Sequence, residues 1–153
     1  MGWQATRDAP CSIARALGVV GERWTLLILR EIFQGSGRFD DLRGALGISR
    51  NVLSARLEGL VESGVLEKVL YQDRPVRFEY RLTEKGRDLY PVLLSLLRWG
   101  DRWLTEGDQP PLTLFHRGCG KAITPEAACD HCGETLTPAN TRARLRADLL
   151  VRR

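Results

Sequence analysis

Soft metal donors gather near the end of the sequence. Two residues separate His116 from Cys119, Cys129 and Cys132 repeat that spacing, and a glycine (Gly120, Gly133) follows each pair. Each pair sets two ligands around one tight turn. The glycine lets the backbone fold back so that N–H groups can bond the sulfur. Three thiolates and one imidazole form a standard closed tetrahedral set for structural zinc. The spacing therefore points to a zinc cofactor on His116, Cys119, Cys129 and Cys132. Four protein ligands leave no open position for a substrate. Such an ion orders a segment too small to own a core. His131 lies inside the second knuckle and competes with His116, which is preferred because it keeps the spacing. The rival chemistry is a thiol–disulfide role for Cys129 and Cys132. It lacks the βαβ context of a thioredoxin-like site. Free thiols are the third reading.

Nucleic-acid recognition is the second chemistry the residue types allow. Arg50 and Asn51 open a helical pattern, and Arg and Asn are the usual bidentate readers of guanine and adenine edges. Ser54 follows on the same exposed side. Ser49 and Arg56 suit phosphates. Arg74 and Arg77 flank a turn, while Arg38 and Arg43 can reach the backbone. Taken singly, a surface arginine is usually only solvated, and Glu58 and Glu62 on the same helix would repel phosphate if they faced it. The sequence shows no Ser/His/Asp set, no phosphate loop and no paired-carboxylate site. Its two histidines both lie in the knuckle region, so an enzyme is not expected.

The elements that would position these residues follow from periodicity. Helical spacing runs over 11–20 and again over 22–34, the latter with Trp24, Leu27, Ile28, Leu29, Ile32 and Phe33. Residues 38–46 form a short helix with Asp40 as N-cap and Leu42 and Leu46 inward. Gly47 gives the tight turn, and Ser49 caps a helix over 50–63 that buries Leu53, Leu57 and Leu60. Gly64 ends it. The period then falls to two over 65–71 and 76–82, with a turn at 73–75, which reads as a hairpin. Thr83 caps a long helix to about residue 106, interrupted by Pro91 near its start. Its apolar stripe includes Leu93, Leu96, Trp99 and Trp103, more than a single small domain needs, and marks a partner surface. An ordinary core helix is the bland alternative.

The expected fold is mainly α with a small β-hairpin. It is a winged helix-turn-helix with a long C-terminal dimerisation helix and a small zinc-knuckle-like extension. The divisions are 1–106 (DNA binding and dimerisation), 107–138 (Cys/His extension) and 139–153 (basic helix or tail). In this order of elements the helix at 38–46 braces the one at 50–63, which can enter the major groove N-terminus first. The hairpin reaches adjacent phosphates or the minor groove.

Composition is consistent with this. The 153 residues are 43% hydrophobic, enough for one domain plus an appendage. No apolar run approaches the roughly 18 to 20 residues needed to span a bilayer, and residues 1–10 lack a signal-peptide core, so a cytoplasmic location without a membrane partner is expected. A reducing compartment disfavours disulfides among the four cysteines and favours metal binding. The net charge of +4 resides in residues 142–153, with five Arg and one Asp, so the rest sums to zero. That basic end is either a phosphate-binding arm or a solvated tail.

Several blocks resemble a known family in order and spacing. Cys11-Ser12-Ile13-Ala14-Arg15-Ala16-Leu17, followed by Gly21-Glu22-Arg23-Trp24-Thr25-Leu26-Leu27, resembles the opening of HxlR-type bacterial transcriptional regulators, within the wider MarR-like winged-helix group. Arg38-Phe39-Asp40-Asp41-Leu42 and Gly47-Ile48-Ser49-Arg50-Asn51-Val52-Leu53-Ser54 resemble the family's helix-turn-helix. Arg77-Phe78-Glu79-Tyr80-Arg81-Leu82-Thr83 resembles its second wing strand running into the last helix. The match spans about residues 9–104. It implies a homodimer on double-stranded DNA, reading the half-sites of a palindrome. Cys11 resembles a cysteine that some members use as an oxidant sensor. Arg7, Arg15 and a helix N-terminus near it would favour the thiolate. A buried, inert interface thiol is the preferred alternative.

The leading expectation is thus a homodimeric repressor, released by a small-molecule effector near Trp24, Trp99 or Trp103, or by thiol modification. A thiol-redox protein using Cys129 and Cys132, and a winged-helix adaptor for other proteins, are the rivals.

Overall fold

A computed structural model describes residues 10–106 and 110–141. Arg7, residues 107–109 of the linker and the basic end 142–153 lie outside the described residues. The chain divides into two compact units, one ending at Tyr90 and the other beginning at Pro91.

The first unit contains α1 (Ser12–Val20), α2 (Thr25–Phe33), α3 (Phe39–Leu46), α4 (Arg50–Glu62), the strands β1 (Leu66–Asp73) and β2 (Val76–Leu82), and the short α5 (Glu84–Arg87). Its core is the set of positions that helical periodicity turns inward. Ile28 and Leu29 of α2, Leu42 of α3, and Leu53 and Leu57 of α4 are wholly buried, and Leu60, Val65 and Leu66 nearly so. Each such side chain contributes about 1.5–3 kcal/mol through burial. Together they fix α4 against α2 and α3.

The helix-turn-helix follows from local chemistry. Gly47 takes φ +62°, which an L side chain adopts only with strain, and reverses the chain after α3. Ser49 is extended, and its Oγ accepts the Val52 N–H at 3.4 Å, capping α4. At the other end Gly64 N–H donates to Val61 O and Val65 N–H to Leu60 O, each at 2.9 Å. This is the paired closure of a Schellman motif, and it sends the chain into β1. The N-cap of α3 differs from expectation. It is Arg38, extended and without a side-chain cap, while Asp40 and Asp41 occupy the first turn. There their charges favour the helix dipole instead.

β1 and β2 pair antiparallel from Leu66↔Leu82 to Asp73↔Val76, with a bulge between Leu70 and Gln72. The hairpin is therefore longer than the alternation suggests, and its turn is Arg74-Pro75. Only its base reaches the core: Leu66 and Tyr80 are buried, whereas Leu70, Val76 and Phe78 are exposed. The outer part is a projecting wing. Its base is held by α5. Thr83 Oγ1 accepts the Gly86 N–H at 3.1 Å and donates to Gly64 O at 2.6 Å. Gly86 lies directly on the Val65 carbonyl, leaving no room for a Cβ.

Residues 83–106 are not one helix. α5 stops at Arg87, and α6 (Tyr90–Leu104) begins after Asp88 and Leu89. Pro91 explains the break. Its ring would clash with the carbonyl four residues earlier and it has no N–H to donate, so it is tolerated only in a first turn. From Pro91 onward α6 falls with the second unit, whereas the sequence reading divides the chain after residue 106. Also in that unit are two hairpin turns around the Cys/His pairs. Among the described residues, no helix is long and apolar enough to cross a membrane.

Candidate nucleic-acid interface

The N-terminus of α4 carries the side chains predicted to meet bases. With Leu53, Leu57 and Leu60 turned into the core, Arg50 and Asn51 are exposed and Ser54 is half-buried. Arg50 is not idle. Its Nη2 lies 4.0 Å from Asp40 Oδ1, and its guanidinium sits 5.2 Å from the Phe39 ring centre. Asp40 and Phe39 of the neighbouring helix thus hold Arg50 loosely. A cleft of about 460 Å³ separates this corner from the wing, with Arg38, Arg50 and Arg77 on its walls beside Asp40 and Asp41. Its three guanidinium groups outnumber its two carboxylates.

Arg38 stacks 4.5 Å from the Tyr71 ring centre, and its backbone bridges to Glu79 of β2. This ties the start of α3 to the wing. Arg74 and Arg77 are exposed at the wing tip, as the turn predicts. Arg43 is exposed on α3. Arg56, expected at a phosphate, is half-buried, and its Nη2 pairs with Glu22 Oε2 at 3.2 Å. It braces α4 against the segment before α2. Sequence reasoning missed Tyr71 and the pairing role of Asp40. Tyr71 occupies the bulge, which period-two reading cannot see. Asp40 resembles a cap because an acidic residue at a helix start can serve as cap or as ion-pair partner. At the base of the wing, burial first and the Glu58 charge second raise the Tyr80 phenol above its ordinary pKa.

α6 presents Val92, Leu96, Trp99 and Trp103 at successive four- and three-residue steps, all exposed, while Leu93 is half-buried. No residue of α6 is fully buried. Cys11 is exposed at the N-cap of α1, where the Arg15 guanidinium turns to Ser12 Oγ at 3.3 Å. Arg7 lies outside the described residues.

The metal-ligand candidates come together as two pairs. Cys119 Sγ lies 3.4 Å from His116 Nδ1. The Cys129 thiol is held below its ordinary pKa by the Cys132 and then the His131 backbone N–H, and by the Cys132 side chain. Among the described residues no three of these donors stand close enough to hold a metal ion as placed. His131 points instead toward Asp130, at 3.8 Å, with 90% of its side chain exposed.

Comparison with known proteins places this geometry. The model of the HxlR-like helix-turn-helix family matches residues 19–108. The HTH-type transcriptional regulator Rv3095 of Mycobacterium tuberculosis, itself uncharacterised, is 51% identical over 129 residues, covering 84% of this chain and 82% of that protein. The solved structure of PA1607, described provisionally as a transcription factor, superposes with a TM-score of 0.83 at 35% identity, covering 92% of this chain and 98% of that one. That share extends beyond the winged-helix part. The redox regulator HypR, in its oxidised form, has a TM-score of 0.57 at 29% identity and covers 65% of this chain and 100% of that one.

Proposed function

The chain belongs to the HxlR-like helix-turn-helix family of transcriptional regulators, and from that premise we propose that it is a homodimeric repressor that lays α4 of each protomer in the major groove of a palindromic operator. The observation that carries this reading is the corner formed by Arg50 and Asn51. Both are exposed at the first turn of a helix whose other face is locked into the core. A helix end of this kind enters a groove with its reading side chains leading. Arg74 and Arg77 on the wing supply phosphate contacts that set register but carry no sequence information.

Support for the dimer is the uncovered stripe of Val92, Leu96, Trp99 and Trp103 on α6. A second copy is the occupant that also gives two recognition helices for two half-sites. Release of the operator follows binding of a small effector or modification of a thiol. The exposure of Cys11 supports the second route, and the structural neighbour HypR is named a redox regulator in both its oxidised and its reduced form.

Selection of duplexes from a random pool by the purified full-length protein tests the reading. A symmetric consensus, bound by two protomers, is the expected result. Recovery of no preferred sequence by a well-folded protein overturns it and favours a protein-binding adaptor. A dithiol that cycles at Cys129 and Cys132 without sequence-selective binding favours the redox alternative.

A further inference from the structure

The two Cys/His turns have the same backbone, displaced by thirteen positions in sequence. His116 N–H donates to Lys121 O at 2.9 Å, and Cys129 N–H to Glu134 O at 2.8 Å. Gly120 N–H returns to His116 O at 2.7 Å, and Gly133 N–H to Cys129 O at 2.8 Å. Ile123 N–H donates to Leu114 O and Leu136 N–H to Ala127 O, both at 2.9 Å. The flanking bridges Phe115↔Ala122 and Ala128↔Thr135 keep the same offset. Both glycines are left-handed, at φ +68° and +74°. Between the two hairpins the shared features are the donor positions and the glycine; His116-Arg117-Gly118-Cys119 and Cys129-Asp130-His131-Cys132 otherwise differ.

No apolar core explains why this segment should be ordered. Among the described residues from 110 to 141, none is fully buried. A segment of this size without a core normally relies on disulfides or a metal. All three of its cysteines carry free thiols.

We propose that residues 114–136 form a zinc ribbon, in which the two knuckles close on one structural zinc ion through His116, Cys119, Cys129 and Cys132. The first knuckle already has a ligand spacing. Tetrahedral bonds of about 2.0–2.1 Å to nitrogen and 2.3 Å to sulfur put the two donor atoms about 3.5 Å apart. His116 Nδ1 and Cys119 Sγ are 3.4 Å apart. His116 is preferred to His131 as fourth ligand because it keeps the repeat, whereas His131 lies inside the second knuckle with its ring exposed beside Asp130. The donors stand as two pairs, so the ion's task is to draw the two tips together. The nine residues between Cys119 and Cys129 are the return arm of one hairpin and the leading arm of the next, a length that permits this. Binding displaces a proton from each of the three thiols to solvent, leaving three thiolates, one neutral imidazole and the divalent ion. The three sulfurs and one ring nitrogen select zinc over the harder magnesium and calcium.

The test uses the full-length protein, purified reduced and without chelator, then stripped and titrated with cobalt(II). About one zinc per chain is expected, and the cobalt form should show the intense visible bands of a tetrahedral thiolate site. Cys119→Ser and Cys132→Ser should abolish those bands, His116→Ala should weaken or shift them, and His131→Ala should leave them intact. The wild-type titration stands even if a variant fails to fold. Reduced, folded protein that carries no zinc and gives only the weak spectrum of octahedral cobalt overturns the proposal. So does purification with a Cys129–Cys132 disulfide, or loss of the site in His131→Ala but not in His116→Ala.

Discussion

Replacing Arg50 by alanine should weaken binding to a selected duplex while leaving a scrambled duplex almost unchanged. Free protein holds Arg50 only loosely. Its ion pair with Asp40 spans 4.0 Å, with 66% and 75% of the two side chains exposed. An exposed pair of this kind contributes about 0–1 kcal/mol. The stacking on Phe39, at 5.2 Å, adds about 0.5–1 kcal/mol at such an exposed site. Leaving these partners therefore costs little, and a bidentate contact to a guanine discriminates by about 1–3 kcal/mol. The loss predicted for Arg50→Ala is about 5- to 150-fold in Kd on the selected sequence. Lysine should not restore it, since a point charge cannot make the paired contact. Asp40→Asn removes an anion beside the groove and should tighten binding to every duplex at low salt. Fluorescence anisotropy with both duplexes, over a salt series, reads all three variants. An equal loss on the two duplexes would make Arg50 a phosphate contact only. No loss on either would refute the placement of α4.

Other perturbations test the elements around that corner. Arg74→Ala should weaken all duplexes alike and lower the slope of log Kd against log salt by about one, since it removes a single phosphate contact. Trp99→Glu, at a side chain 56% exposed on α6, should convert a dimer to a monomer in sedimentation without unfolding the first unit. Gly86→Ala forces a Cβ onto the Val65 carbonyl and should cost about 1–3 kcal/mol, read as a lower denaturant midpoint at constant m. Tyr80, whose phenol is raised by burial, keeps its full contribution to stability below the ordinary tyrosine pKa of about 10 and loses it as pH rises through the folded value. Tyr80→Phe should flatten that alkaline decline.

Periodicity made the recognition helix legible because every third or fourth residue of α4 had to be apolar to pack. Leu53, Leu57 and Leu60 are buried as that pattern demands. The cap at Ser49 was legible for the same local reason, a hydroxyl placed just before a helix. What escaped sequence reading depends on partners distant along the chain. Val76 and Phe78 alternate as if half-buried, yet among the described residues of the first unit both remain exposed. The ion pair of Arg56 with Glu22 has no signal in the local pattern of α4. The break before α6 was announced by Pro91, but its position, one turn earlier, follows from the carbonyl that the ring must avoid. The Cys/His spacing was visible, whereas the shared hydrogen-bond pattern of the two hairpins required a backbone.

Hydroxyl-radical footprinting of the selected duplex tests the central claim most directly. Two protected segments about one helical turn apart, on one face of the DNA, with base-specific interference lost at one symmetric position in Arg50→Ala, are predicted. Uniform weak protection that ignores sequence and is unaltered in Arg50→Ala and Asn51→Ala would contradict it.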